Sequence, residues 1–117
     1  MSRTKNKTNT HSFIDDSRNQ EVLIHINGEY FTRADAKVSV FDSGFLLGDG
    51  VWEGLRLHNR KLLFLDEHID RLLSGADALS IDVGLSADGI KDLLYELIRR
   101  NGMRSDVHIR LIVSRGI

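Results

Sequence analysis

The sequence predicts an α+β domain in which a small, mainly antiparallel sheet carries two adjacent helices on one face. Short runs of alternating apolar and polar residues are separated by turn dipeptides, and two longer stretches repeat their apolar residues every three or four positions. A last alternating run follows the helices. Strands first, then two helices, then a returning strand is the order expected of such a domain.

The first two strands are predicted to form a hairpin. Residues 22–26 alternate, the Asn27-Gly28 dipeptide is the strongest short hairpin signal, and residues 29–32 return beyond it. Residues 37–41 read as another short strand because apolar and polar side chains alternate there.

Three further strands are predicted later in the sequence. A glycine-rich stretch, residues 43–50, interrupts the pattern before alternation resumes over residues 51–58. After a turn at Asn59-Arg60, residues 61–65 predict a compact strand, and residues 106–114 predict a half-buried one at the end of the chain.

Two amphipathic helices are predicted between these strands. Asp66 is a candidate N-cap for the first and Ser86 for the second, which Asn101-Gly102 closes. The apolar stripe of the first helix is Ile69, Leu72, Leu73, Ala76 and Leu79. The apolar stripe of the second is Ile90, Leu93, Leu94, Leu97 and Ile98.

Length and composition exclude several classes of protein. The 117 residues suffice for one domain, and 41% hydrophobic with 28% charged residues is close to the globular average. A net charge of −1 gives no basic surface for nucleic acid or an anionic membrane, and the absence of cysteine excludes disulfides. A disulfide-stapled secreted module is thereby excluded, so a cytoplasmic protein is expected. No apolar run approaches the ~20 residues that span a bilayer, which excludes a transmembrane helix. Residues 1–20 are mostly polar and predict a flexible tail.

One strand carries a candidate binding surface. Period-two alternation places Trp52 and Arg56 on the face opposite the apolar residues, on either side of Gly54, which has no side chain. An aromatic wall and a cation that border a notch suit a small ligand with a carboxylate. The alternative interpretation is an ordinary solvated face with one half-buried tryptophan.

The last strand repeats this arrangement. His108 and Arg110 lie opposite its apolar residues, so a second set of polar groups able to grip a carboxylate is available. If the two strands share a sheet, one face holds Trp52, Arg56, His58, His108 and Arg110. The sequence does not say whether the strands are adjacent.

Other possible sites are weaker. A helical wheel places Arg71 nearly opposite the apolar stripe, which predicts a solvated arginine, and His68 at the stripe's edge reads as a half-buried packing residue. No metal ligand stands four residues after His68, so no metal site is predicted. Gly48-Asp49-Gly50 fits neither phosphate-loop nor dinucleotide fingerprints, and none of the five lysines resembles an activated amine.

Five segments nevertheless stand in a recognisable order and spacing. They are Asn27-Gly28-Glu29, Asp35–Asp42, Gly48–Arg56, Glu67–Leu72 and His108–Gly116. Together they resemble the class IV, or fold type IV, pyridoxal-phosphate enzymes, which comprise branched-chain and D-amino-acid aminotransferases and aminodeoxychorismate lyase. The resemblance covers about Val22 to Gly116. It implies that residues 21–117 are the N-terminal small domain of such an enzyme.

In that family the cofactor, pyridoxal 5'-phosphate, lies in a cleft between this domain and a larger C-terminal domain. The C-terminal domain supplies the lysine to which the cofactor attaches, and the present sequence stops before it. The resemblance therefore implies that this chain holds no catalytic residue, that it is inactive alone, and that the complete enzyme is a homodimer.

The resemblance also assigns individual residues. Arg71 matches the arginine that contacts the cofactor phosphate, and Trp52 stands where the family has an aromatic wall of the substrate pocket. Arg110 matches the arginine that branched-chain enzymes turn toward the substrate carboxylate, whereas His108 is more similar to the D-amino-acid enzymes. Leu47 stands where branched-chain enzymes commonly carry a tyrosine.

The resemblance implies transamination between an amino acid and a 2-oxo acid, with the branched-chain type as the leading expectation. D-amino-acid transamination and the lyase reaction, in which pyruvate is eliminated in place of amino transfer, stay open as alternatives within the family. A non-catalytic binding module that kept only the small domain is the alternative from another class.

Overall fold

The computed structural model describes residues 16–117 and has the α+β architecture that the sequence predicts. The strands are β1 (Leu23–Ile26), β2 (Glu29–Thr32), β3 (Gly50–His58), β4 (Lys61–Leu62) and β5 (Val107–Ser114), and the helices are α1 (Ser43–Leu47), α2 (Leu65–Ala78) and α3 (Ala87–Asn101). All strand pairs are antiparallel, but they form two sheets, because β1 and β2 pair only with each other while the second sheet has the order β4-β3-β5.

The core lies on one face of the β4-β3-β5 sheet. Alternate residues of β3 and β5 point to this face, where α2 and α3 cover them, as the predicted layer arrangement requires. The buried cluster consists of Leu55, Leu57, Leu62, Ile69, Leu72, Ile90, Leu94, Ile98 and Ile109. Both predicted helix stripes contribute to it, so the opposite sheet face is left for other contacts.

Helix α3 begins and ends where its sequence predicts. The Ser86 hydroxyl accepts a hydrogen bond from the Gly89 backbone N–H at 3.0 Å, and Gly102 takes a left-handed conformation with φ 62° just after the last turn. Both signals are local, which is why the sequence alone sufficed.

The start of α2 differs from the prediction. Phe64 adopts a left-handed φ of 54°, which turns the chain out of the short β4 strand and into a helix that begins at Leu65. The predicted strand over residues 61–65 is therefore wrong beyond Leu62, and Asp66 is not the N-cap. Asp66 lies in the first turn, where its carboxylate pairs with Lys91 at 2.5 Å.

The predicted strand over residues 37–41 is also wrong. The Ser39 hydroxyl accepts a hydrogen bond from the Phe41 N–H at 3.0 Å, and the Ser39 carbonyl accepts one from the Asp42 N–H at 3.1 Å. These local bonds close a turn in place of a strand ladder. Val38, Val40 and Phe41 remain exposed there.

Helix α1 lies within the glycine-rich residues 43–50, for which the sequence predicts only an interruption between strands. The Asp42 carboxylate accepts hydrogen bonds from the N–H groups of Gly44 at 2.8 Å and Phe45 at 3.4 Å, which caps the helix. Gly48 ends it with a left-handed φ of 67°, so β3 can begin at Gly50.

The β1–β2 hairpin forms as predicted, and the Asn101 side chain joins it to α3. Asn101 accepts a hydrogen bond from the Leu23 N–H at 2.8 Å and donates one to the Leu23 carbonyl at 3.1 Å. The hairpin therefore docks on the end of α3 and does not extend the β4-β3-β5 sheet.

Part of the predicted polar tail, residues 1–15, lies outside the described residues. Ser17–Asn19 form a short 3-10 helix, and Arg18 donates hydrogen bonds to the carbonyls of Ser105 at 2.9 Å and Asp106 at 2.8 Å. These bonds tie residue 18 to the loop before β5. Within residues 16–117, no helix has the length and hydrophobicity needed to cross a membrane.

Candidate functional site

The pairing of β3 with β5 places the predicted substrate-binding residues on one sheet face. In the antiparallel register Gly54 lies opposite Arg110 and Arg56 lies opposite His108. Trp52, Arg56, His108 and Arg110 all lie on the face away from the core, and Trp52 is 59% exposed. The adjacency that the sequence could not establish is therefore present.

Trp52 and Arg110 form a stacked pair on this face. The guanidinium carbon of Arg110 lies 4.3 Å from the centre of the Trp52 ring, within the range of a cation–π interaction. Within residues 16–117, no carboxylate pairs with Arg110 or with Arg56. The face therefore presents uncompensated positive charge beside an aromatic ring, which suits an organic anion.

The predicted notch at Gly54 is occupied by a side chain from the neighbouring strand. A Cβ added at Gly54 would lie 2.8 Å from Cε1 and 2.9 Å from Nε2 of His108, so the imidazole covers the glycine. The absence of a side chain at position 54 makes room for this ring. The His108 ring thus fills the notch and lies beside the stacked Trp52 and Arg110 side chains.

A second polar cluster lies on the other face of β3, between the strand and α2. Glu53 points to the core face and its side chain is only 5% exposed. Its Oε2 accepts a hydrogen bond from Arg71 Nε at 2.8 Å, and its Oε1 accepts one from an Arg71 terminal nitrogen at 2.6 Å. Nδ1 of His68 lies 2.6 Å from the same Oε1.

These contacts set the charge of the cluster. Hydrogen bonding to the Arg71 guanidinium holds the pKa of the Glu53 carboxyl below its usual value, although burial acts in the opposite direction; the hydrogen bond with His68 lowers it further. Glu53 in turn raises the pKa of Arg71. The cluster therefore contains an ionised carboxylate and a permanent cation.

Arg71 does not share a face with the other predicted site residues. Its side chain is 72% exposed, as the helical wheel predicts, and it lies on the core side of β3, whereas Trp52 and Arg110 lie on the opposite side. Within the described residues β4 pairs with β3 only at Leu57 and His58, so the edge beside Trp52 carries no paired strand.

Other predictions have mixed outcomes. The His68 side chain is 21% exposed, which confirms the half-buried position, but its contact with Glu53 was not predicted. Leu47 is 79% exposed at the end of α1. Glu53 was not among the predicted site residues, although an acid at a core-facing position of an alternating strand is itself a signal, because a buried charge needs a partner.

Known proteins resemble this chain over most of its length. Residues 50–117, from β3 to the end of the chain, match the protein family described as amino-transferase class IV. A protein of Methanocaldococcus jannaschii, provisionally named a branched-chain-amino-acid aminotransferase, is 47% identical over 94 residues, which are 80% of this chain and 32% of that protein. The D-alanine aminotransferase of Staphylococcus haemolyticus is 32% identical over 94 residues, 80% of this chain and 33% of that protein.

Solved structures share the fold. The branched-chain amino acid aminotransferase from Escherichia coli superposes with a TM-score of 0.71 at 30% identity, over 77% of this chain and 32% of that one. Another branched-chain amino acid aminotransferase, complexed with N-(5'-phosphopyridoxyl)-L-glutamate, gives a TM-score of 0.70 at 29% identity, over 79% of this chain and 32% of that one.

This chain spans about a third of the length of each of these four proteins. The matched family segment contains β3, α2 and β5, and with them every residue of both polar clusters. The architecture predicted for a fold type IV small domain is likewise that of the structural neighbours. The chain belongs to the class IV family of pyridoxal-phosphate-dependent aminotransferases.

Proposed function

We propose that residues 21–117 are the N-terminal small domain of a pyridoxal-phosphate-dependent aminotransferase that transfers an amino group between an amino acid and a 2-oxo acid. In this proposal further chain supplies the lysine that attaches to the cofactor. Two such chains form a homodimer, and the enzyme works in the cytoplasm. The 117-residue chain alone is then inactive.

The observation that carries the proposal is a pair of exposed arginines on the two sides of one strand. Arg71 is bound to Glu53 on one face of β3, and Arg110 lies opposite the next residue, Gly54, on the other face. A cofactor with a phosphate and a substrate with a carboxylate together bring two anions to a site. Two separate cations, one on each face of β3, match that requirement.

Arg71 fits the phosphate of the cofactor. A guanidinium forms charge-assisted hydrogen bonds with a phosphate dianion, and that of Arg71 is exposed while Glu53 occupies only one of its edges. When bound, pyridoxal phosphate supplies the electron sink for chemistry at the substrate's α-carbon. The contribution of this chain is to bind and orient the anionic groups.

The opposite face fits the substrate side. Arg110 is held against Trp52 by stacking, Arg56 adds a second cation, and His108 lies between them over Gly54. We propose that the arginines attract a carboxylate while the Trp52 ring forms an apolar wall for the substrate side chain. Relatives with branched-chain names are 47% and 42% identical to this chain, more than those named D-alanine aminotransferase, and this favours a branched-chain substrate.

A D-amino-acid substrate is the second candidate. Relatives named D-alanine aminotransferase are 32% to 34% identical to this chain. His108, at which the sequence is more similar to the D-amino-acid enzymes, lies directly on the proposed substrate face. Amino donors of the L and of the D series are therefore both needed to test the substrate.

The test uses the full-length protein that contains these residues, loaded with pyridoxal phosphate. We expect amino transfer from L-leucine or L-valine to 2-oxoglutarate, measured as glutamate formation. Faster transfer from D-alanine would support the second candidate. Elimination of pyruvate from an aminodeoxychorismate substrate without amino transfer would support the lyase, and no reaction with any of these donors would support a non-catalytic module.

Two arginine variants test the residue assignments. Arg71→Ala should weaken pyridoxal phosphate binding about ten- to a hundredfold, and excess cofactor should restore much of the rate. Arg110→Ala should lower kcat/KM for the amino acid, and added cofactor should not help. Arg99→Ala, an equally exposed arginine on α3, serves as the control that changes neither quantity. Normal cofactor affinity in Arg71→Ala would contradict the phosphate assignment.

A further inference from the structure

Glu53 is an acid in a position that the packing of the domain would assign to an apolar residue. It shares the core-facing side of β3 with Val51, Leu55 and Leu57, and the last two are fully buried. A carboxylate removed from water there is tolerated only when other groups satisfy it. A glutamate at this position therefore calls for an explanation beyond packing.

The carboxylate holds Arg71 at two points. Nε and one terminal nitrogen of the guanidinium donate to the two oxygens of Glu53, at 2.8 Å and 2.6 Å. Two parallel bonds to a planar group fix both its position and the orientation of its plane. Because Glu53 is on the central strand of its sheet, the position of the guanidinium is fixed relative to the sheet.

The other end of the guanidinium stays available. Within residues 16–117, the second terminal nitrogen of Arg71 has no hydrogen-bond partner, and the side chain is 72% exposed. An exposed arginine normally loses side-chain freedom when it binds a ligand. Here part of that ordering is already present before a ligand arrives.

His68 completes the arrangement from the same helix. It stands three residues before Arg71, so both side chains project from one side of α2 toward Glu53. Its Nδ1 lies 2.6 Å from the Glu53 oxygen that Arg71 also contacts. Glu53 Oε1 is thus contacted by both His68 and Arg71.

We propose that Glu53 is a positioning residue that fixes the guanidinium of Arg71 with its open edge toward a phosphate dianion, and that His68 steadies the Glu53 carboxylate. The inference rests on the proposed function, because it takes Arg71 as the phosphate contact. It extends that function by assigning roles to two residues that do not themselves touch the ligand.

A positioning role and a simple charge role predict opposite results for Glu53→Gln. Removing the negative charge beside Arg71 would, by electrostatics alone, strengthen the binding of an anion. Glutamine, however, offers one acceptor oxygen where the carboxylate offers two, and its amide hydrogens face the N–H groups of Arg71. If positioning dominates, the phosphate contact becomes weaker despite the loss of the competing charge.

The measurement compares pyridoxal phosphate with pyridoxal, which lacks the phosphate, in the full-length protein. The ratio of the pyridoxal dissociation constant to that of pyridoxal phosphate isolates the phosphate contribution, because a general loosening of the site would weaken both ligands. We expect Glu53→Gln to reduce this ratio on the order of tenfold, with pyridoxal binding unchanged. Glu96→Gln is the matched control, since Glu96 holds Arg99 with the same two-point geometry outside this site.

Each outcome separates the two proposals. If Arg71→Ala leaves the ratio unchanged, the proposed phosphate contact fails and the positioning role fails with it. If Arg71→Ala lowers the ratio but Glu53→Gln leaves it unchanged or raises it, only the positioning role is overturned. Should circular dichroism show that Glu53→Gln does not fold, His68→Ala gives the answer: a ratio lower by about two- to fivefold is expected, and an unchanged ratio overturns the role.

Discussion

Two glutamates in this domain hold an arginine in nearly the same way and differ mainly in their surroundings. Glu53 binds Arg71 at 2.8 Å and 2.6 Å, and Glu96 binds Arg99 at 2.8 Å and 2.5 Å. The arginine side chains are equally open, at 72% and 70% exposed, whereas the glutamate side chains are 5% and 37% exposed. The first pair joins a strand to a helix, and the second lies within one helix.

Identical hydrogen-bond geometry therefore need not mean identical energetics. A surface ion pair gains little because water and salt already stabilise both charges. A buried carboxylate has lost that solvation, so the guanidinium beside it is needed to keep it charged and in place. The Glu53–Arg71 pair therefore contributes both to the stability of the domain and to the position of Arg71. The Glu96–Arg99 pair lies on the surface of α3 and contributes little to stability.

The largest expected effect is an asymmetry between two variants of the buried pair. Arg71→Ala leaves the Glu53 carboxylate, which is held away from bulk water, with only His68 beside it, and should lower the free energy of unfolding by clearly more than Glu53→Leu does. Glu53→Leu restores an apolar face, leaves Arg71 in solvent, and should change that free energy by less than about 1 kcal/mol. Urea unfolding of the chain followed by circular dichroism measures both. Equal losses in the two variants would show that burial of Glu53 is not the deciding difference.

A smaller effect is expected in the pH dependence of stability. Because the folded-state pKa of Glu53 is lowered from its usual 4.5, its stabilising contribution is fully present above pH 4.5 and is lost as the pH falls through the folded-state value. The wild-type chain should therefore lose stability relative to Glu53→Leu when melting temperatures are compared from about pH 6 down to about pH 3. The other carboxylates are common to both chains and cancel in the difference. Parallel curves would mean that Glu53 has the same pKa folded and unfolded.

The smallest effect is expected at Glu96. Hydrogen bonds from Arg99 and Arg100 lower the pKa of Glu96 to about 2, yet the group is surface-exposed and well solvated. Glu96→Gln should leave the urea midpoint at neutral pH almost unchanged, and whatever difference exists should vanish in about 0.5 M NaCl, a salt concentration of about three times the physiological level. A clear loss of stability that persists in salt would contradict the proposed distinction between the two pairs.

Local signals explain which parts of the fold the sequence could predict. Helix α3 was predicted at both ends because Ser86 and Gly102 act on neighbouring backbone groups. The strand over residues 37–41 was not correct, because alternation alone cannot show whether a partner strand is present, and Ser39 closes a turn instead. The left-handed Phe64 that starts α2 also carries no sequence signal, since non-glycine residues seldom adopt that conformation.

In the candidate sites, too, local features could be predicted from the sequence and contacts between elements could not. Alternation placed Trp52 and Arg110 correctly on outward faces, but their stacking depends on the β3–β5 register, which is a tertiary fact. The wheel predicted an exposed Arg71 and had no means of predicting its contact with Glu53, because that contact joins a helix to a strand eighteen residues away. Pairing across elements is what single-sequence periodicity cannot supply.

The absence of a side chain at Gly54 determines the position of the His108 ring on the outward face of the sheet. A methyl group there would collide only with the imidazole of His108, the far end of a flexible side chain, and the glycine has no left-handed backbone angle to forbid alanine. A single-carbon addition would thus swing a polar ring across the outward face while the strand keeps its path. The residue at position 54 therefore decides where the His108 ring lies, and through it the shape and polarity of the outward face.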